Sequence, residues 1–262
     1  MKILLKYRFS GFAFLLFASM VMTTSCSFDE QVDPNRPSLA GVLTDASQNQ
    51  LNNLVIGVLS AMRNGISIQT TGSGTMAREL YLFDADPRNT ADLLGANGAS
   101  LDNTSFYSTA PWGGRYRAIK NANILLQSLD NTSSVTDVQK AGYRGFANTI
   151  IAYELIEILR SYNRARVDVA DEENLGPILE FDAVLSQVRS LLDTSLGDLG
   201  NAGAEFAFSL PGFEGFDTPT TFSQFNRAVA AEAGVYAGDG SATLTALGTS
   251  YFDLNGSLLN GP

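Results

Sequence analysis

The sequence has no histidine, one cysteine and one tryptophan among 262 residues. Without histidine, and with the single cysteine assigned another role below, the chain cannot build a Ser-His-Asp triad, a Cys-His pair or an ordinary zinc site. Carboxylate-only chemistry, such as the acid–base pair of a glycoside hydrolase, stays open on composition alone. Lysine is scarce as well. Beyond the first 25 residues only Lys120 and Lys140 remain, beside twelve dispersed arginines. The clustered bases that grip phosphate are missing, and nucleic acid is excluded as a partner. Long apolar runs are also lacking, with the exception of Phe9 to Met22. That run is about fourteen residues long, where a membrane-spanning helix needs about twenty.

The run follows Lys2, Lys6 and Arg8 and passes into small residues, which makes residues 1–25 a secretion signal rather than a span. Thr23-Thr24-Ser25-Cys26 resembles a relaxed bacterial lipobox, with cleavage before Cys26 and a diacylglyceryl thioether on its sulfur. The alternative, ordinary cleavage beside an unpaired thiol, leaves a liability on an exported protein. Several acyl chains together anchor a protein stably. Ser27-Phe28-Asp29-Glu30 is similar to the short acidic signal that sends Bacteroidetes lipoproteins to the cell surface. Removal of the leader takes away three positive charges and no negative ones, leaving 14 basic against 27 acidic groups, a net of −13. Residues 26–43, with Pro34 and Pro37 and little apolar content, read as a tether, and the folded domain is expected over 44–262.

From there apolar residues repeat at helical spacing. Leu51, Leu54, Val55, Val58, Leu59 and Met62 predict a helix capped by Thr44 or Asp45 and stopped at Asn64-Gly65. Trp112 to Asp130 predicts the helix around which the chain is organised, with Tyr116, Ile119, Asn123, Leu126 and Leu129 on one face. Thr136 or Asp137 caps a long helix running towards Tyr162. Gly142 and Gly145 within it cost helix propensity and suit a close helix approach. Further helices are expected from Phe181 to about Gly200, from Phe222 to Ala237, and from about Ala242 to Leu254. With no convincing strands, the pattern predicts an all-α fold of paired antiparallel helices, an α-hairpin array with long irregular loops.

Several residues are candidates for function. Asn123, an amide inside an apolar stripe, is expected to hold a neighbouring loop or helix end, since an unpaired buried amide costs about 1–3 kcal/mol. A ligand contact is its alternative role. Gly72 to Ala77 reads G-x-G-x-x-A with Asp92 twenty residues beyond Gly72, as in a dinucleotide fingerprint. The strand–helix–strand context fails, so a glycine-rich loop is expected and no cofactor. Asp84, Asp86, Asn89 and Asp92 offer oxygen ligands for calcium, but the spacing misses the EF-hand loop. A solvated, turn-rich loop is the expectation there, with no metal. Phe106 and Tyr107 on a loop from Gly95 to Pro111, with Trp112 after them, either pack as a lid or stack on a flat ligand. With Asp92 and Asn103 they form the candidate ligand-facing group.

Taken together, the lipobox with Asp29-Glu30, Arg78 to Tyr81, Asp86-Pro87-Arg88, Trp112 with Arg115 to Ile119, Asn121 to Asn123, Arg144 to Ala147, Gly215 to Pro219, and Phe225 to Ala228 resemble the N-terminal part of the SusD/RagB family of outer-membrane lipoproteins. The resemblance implies tetratricopeptide-like helical hairpins. It also implies a surface lid on a TonB-dependent transporter of the SusC type, capturing a nutrient, often an oligosaccharide, without catalysis. It transfers no ligand-contacting residue by motif. Family members continue well beyond Pro262, so a truncated chain is expected. Two rival readings remain: a surface scaffold that binds only proteins, and a lipid-anchored glycoside hydrolase.

Overall fold

A computed structural model of the chain describes residues 39–82, 86–257 and 261–262. The expected secretion signal, Cys26, most of the expected tether and Asp84 lie outside the described residues. Helix α1, Leu39–Asp45, begins inside the stretch read as tether. Helix α2, Gln48–Met62, is capped by Ser47 and not by Thr44 or Asp45. Ser47 and Gln50 form a reciprocal capping box, and burying Leu51, Val55, Val58 and Leu59 fixes the inner face.

The glycine-rich stretch is a helix, α3, Ile66–Met76. Its apolar period is weak, which is why spacing alone reads it as a loop, and tertiary contacts override propensity here. The turn into it, Asn64-Gly65, docks on the next long helix. A Cβ on Gly114 would lie 2.2 Å from the Asn64 carbonyl oxygen, and Gly65 has a φ of 79°. A dinucleotide loop is excluded, since the glycines of the motif lie within this helix. Asp86 and Pro87 then lead into a single helical turn, α4, Arg88–Ala91.

Helix α5, Phe106–Asn131, starts six residues before Trp112, capped by the Ser105 hydroxyl, and continues through Pro111. The inner face is rotated from the expected stripe: Arg115, Ala118, Ile119, Ala122, Leu125 and Leu129 are buried. Asn123 is half-buried and its amide donates to the Ile119 carbonyl of its own helix at 3.0 Å. The amide that reaches a neighbour is Asn121, whose Nδ2 donates to the Gly57 carbonyl of α2 at 3.0 Å.

Helix α6, Asp137–Ser161, capped by Thr136 and Gln139, is the centre of the fold. Tyr143, Phe146, Ile150, Leu155, Ile156 and Ile158 are fully buried and point in several directions, as in a helix covered on most sides. Strand β1, Arg164–Ala165, pairs antiparallel with β2, Leu179–Glu180, and closes the loop between them. Helix α7, Phe181–Gly200, lies so close to α6 that a Cβ on Gly145 would come within 2.7 Å of Leu199.

The 201–218 connection fills core space: Phe208 and Phe213 are buried, and Phe208 meets Tyr143 with ring centroids 4.5 Å apart. Helix α8, Pro219–Tyr236, begins three residues before Phe222, because Thr218-Pro219 supplies cap and first turn. Helix α9, Gly240–Leu247, is shorter than expected.

Packing is sequential, α2 on α5, α5 on α6, α6 on α7, α7 on α8 and α8 on α9, so the fold is an all-α array of paired antiparallel helices. Asn226 ties three of them together. Fully buried, its Nδ2 lies 2.7 Å from Ser195 Oγ on α7 and 2.9 Å from Thr149 Oγ1 on α6, while its Oδ1 accepts from Arg227 Nε at 2.8 Å. Asn226→Ala should lower the unfolding free energy by about 1–3 kcal/mol, read from the urea midpoint, because buried polar groups then lose their partner. A change within about 0.5 kcal/mol, the size of a surface substitution, would show the network to be dispensable.

Candidate ligand-binding groove

The N-terminal half of α5 presents Trp112, Tyr116 and Lys120 at steps of four, on one face of the helix. Opposite this face runs the loop between the two short strands. The Tyr116 hydroxyl pins the loop by accepting from the Arg166 N–H at 2.6 Å and donating to the Arg166 carbonyl at 3.1 Å. Gln127 Nε2 donates to the Ala170 carbonyl at 2.9 Å, and Lys120 meets Glu172 at 2.5 Å. Between helix and loop lies an open groove of about 590 Å³. Trp112 and Tyr116, with ring centroids 4.8 Å apart, form its aromatic wall, and Tyr162 braces Trp112 edge-on at 5.0 Å. Leu175 and Ile178, 46% and 55% exposed, form the apolar side of the loop. Burial pushes the Tyr116 phenol up, against the pull of the Arg166 backbone and charge.

The candidate ligand-facing group does not gather at one place. Phe106 and Tyr107, on the first turn of α5, are half-buried and face α3 and α4. The Tyr107 hydroxyl donates to Asn89, and Arg88 Cζ sits 4.5 Å from the centroid of the Phe106 ring. Asp92 is half-buried beyond α4, and its Oδ2 has no hydrogen-bond partner among the described residues. Asn103 is exposed in the turn before α5. Trp112 alone of the group lines the groove. Of the calcium candidates, Asp86 is held by Arg88 Nε at 3.0 Å, which keeps its carboxyl below the usual range.

Sequence reasoning missed a buried ionic cluster behind the aromatic wall. Arg115, 4% exposed, reaches Glu154 at 3.1 Å and Glu157 at 3.3 Å, both on α6, and Gln69 Oε1 on α3 at 2.8 Å. Arg160 bridges Glu157 and, at 2.6 Å, Glu232 on α8. Burial pushes the Glu154 carboxyl up to about 8, against the pull of Arg115. Two charged residues inside the run from Ile150 to Leu159 were the available signal.

No family model and no curated protein matches the sequence. Two solved structures match the fold. Surface glycan-binding protein A from Bacteroides uniformis is 18% identical, with a TM-score of 0.60 over 80% of this chain and 48% of that one. NanU from B. fragilis is 16% identical, with a TM-score of 0.56 over 86% of this chain and 46% of that one. The fold is SusD/RagB-like. The chain spans about half the length of the structures it matches. At these identities the likeness is one of fold, and the groove has to be argued from its own residues.

Proposed function

We propose that the protein is a non-enzymatic, lipid-anchored subunit of a nutrient importer. It captures an oligosaccharide at the Trp112 groove and delivers it to a TonB-dependent, SusC-like transporter. The observation that carries the proposal is an aromatic wall with a polar rim in a SusD-like fold, the fold of a surface glycan-binding protein. A sugar ring offers an apolar C–H face to Trp112 and hydroxyls to the rim, and rigid aromatics supply contact area at little entropic cost. Hydrolysis by paired carboxylates is disfavoured, since Glu172 is the one acid lining the groove among the described residues and Lys120 holds it. The lipobox at Cys26 supports anchoring at the outer membrane with the domain facing outward.

Affinity electrophoresis of the full chain against a polysaccharide panel tests the capture step. Trp112→Ala should weaken binding about tenfold or more, the size of an anchor loss, with unchanged circular dichroism. Retained binding by that variant moves the site elsewhere. For delivery, the lipidated protein should co-purify a large outer-membrane barrel. No glycan bound and no barrel recovered would favour the protein-scaffold reading.

A further inference from the structure

We infer that the groove takes an acidic sugar, with the Arg166 guanidinium receiving the carboxylate while the ring lies on Trp112. The inference rests on the glycan-binding reading of the groove and names its substrate class. Most arginines of the fold are paired: Arg88, Arg115, Arg144, Arg160, Arg164, Arg189 and Arg227 each face a carboxylate, while Arg63, Arg78, Arg117 and Arg166 make no ion pair among the described residues. Of these four only Arg166 lines the groove, in a chain with 27 acidic side chains against 17 basic ones. Such an arginine keeps its planar fork of donors available, and that fork matches a carboxylate with two parallel bonds.

Its placement is built. The Tyr116 hydroxyl holds both the N–H and the carbonyl of Arg166, so the side chain leaves a fixed peptide, and the loop is closed behind it by β1 and β2. Arg166 lines the same groove as Trp112 and Tyr116, the two rings of the aromatic wall. Lys120 is a second cation on the helix side, and its partner Glu172 is 64% exposed on the loop. The charged residues lining the groove are thus two bases and one acid, net positive on an acidic protein, and a carboxylate is the group that balances them. Val169, Leu175 and Ile178 provide the apolar cover for C–H faces.

The test uses isothermal titration of the full chain with a galacturonate trisaccharide, a glucuronate-bearing oligosaccharide, their carboxyl-reduced forms and a triglutamate peptide. Wild type should bind at least one acidic sugar more tightly than its reduced form, and increasingly so at low salt. Arg166→Gln should weaken the acidic sugar about tenfold or more and leave the reduced form within about twofold, since only the charge-assisted pair is lost. Trp112→Ala should weaken both. Equal acidic-sugar affinity for Arg166→Gln and wild type, with Trp112→Ala still impaired, overturns the carboxylate assignment and leaves glycan capture standing. Preference for triglutamate over every sugar overturns it in favour of a peptide ligand. No sugar bound, acidic or reduced, overturns both readings.

Discussion

Replacing Arg115 by methionine should cost about 3–5 kcal/mol of unfolding free energy, the loss seen when one partner of a buried ion pair is removed. Arg115 is 4% exposed and its guanidinium is shared between Glu154 and Glu157 on α6 and Gln69 on α3. Methionine fills the aliphatic volume but leaves the Glu157 carboxylate without this cation and takes from Glu154 Oε2 its Arg115 donor. The uncompensated desolvation of both groups then acts against the α5–α6 contact. Urea denaturation measures the effect. The double variant Arg115→Met with Glu157→Gln should recover part of it, because the stranded carboxylate is gone while Arg160 keeps Glu232. A loss below about 1 kcal/mol would mean that the cluster behaves as a hydrated surface pair. Because Tyr116 adjoins Arg115 on the same helix, the cluster sits directly behind the wall of the groove, and weaker sugar binding should accompany the loss of stability.

Long elements with dense apolar spacing were legible in the sequence. Both α6 and α7 lie where Tyr143 to Leu159 and Val184 to Leu199 place them, because burial on more than one side leaves a strong pattern. Legibility failed where tertiary contact supplies what local propensity withholds. Gly72 and Gly74 argue against helix, yet α3 forms against α5. Pro111 argues for a helix start, yet Ser105 caps the helix earlier and one missing backbone bond is tolerated. The apolar spacing of α5 places its inner face about one residue from the true one, which turns Asn123 towards the core in place of Arg115. In the groove, Trp112 was legible as the lone tryptophan near a helix start. Arg166 was not, since its position depends on a hydroxyl fifty residues away in sequence and on a two-residue strand pairing.

The same ionic cluster should make stability fall as pH rises through neutrality. Among the groups linked around Arg115 and Arg160 there are two arginines against Glu154, Glu157 and Glu232, so one negative charge is in excess. Glu154 is the member to carry a proton, being fully buried with Oε1 lacking a hydrogen-bond partner among the described residues. Burial raises its carboxyl from 4.5 to about 8. Below the lower value both folded and unfolded chains hold the proton, and this group's contribution is fully present. Between the two values only the folded chain holds it, so unfolding releases a proton and rising pH favours unfolding. Above the upper value both are ionised and the contribution is gone. Histidine is absent from the sequence, so its usual titration near neutrality does not overlap this one. Glu154→Gln mimics the protonated side chain and still offers Arg115 an acceptor. Its stability should match wild type in mild acid and exceed it in mild base, the difference growing between the two pKa values. Parallel stability curves for the two proteins across that range would show that Glu154 stays ionised in the fold and that Arg115 alone compensates it.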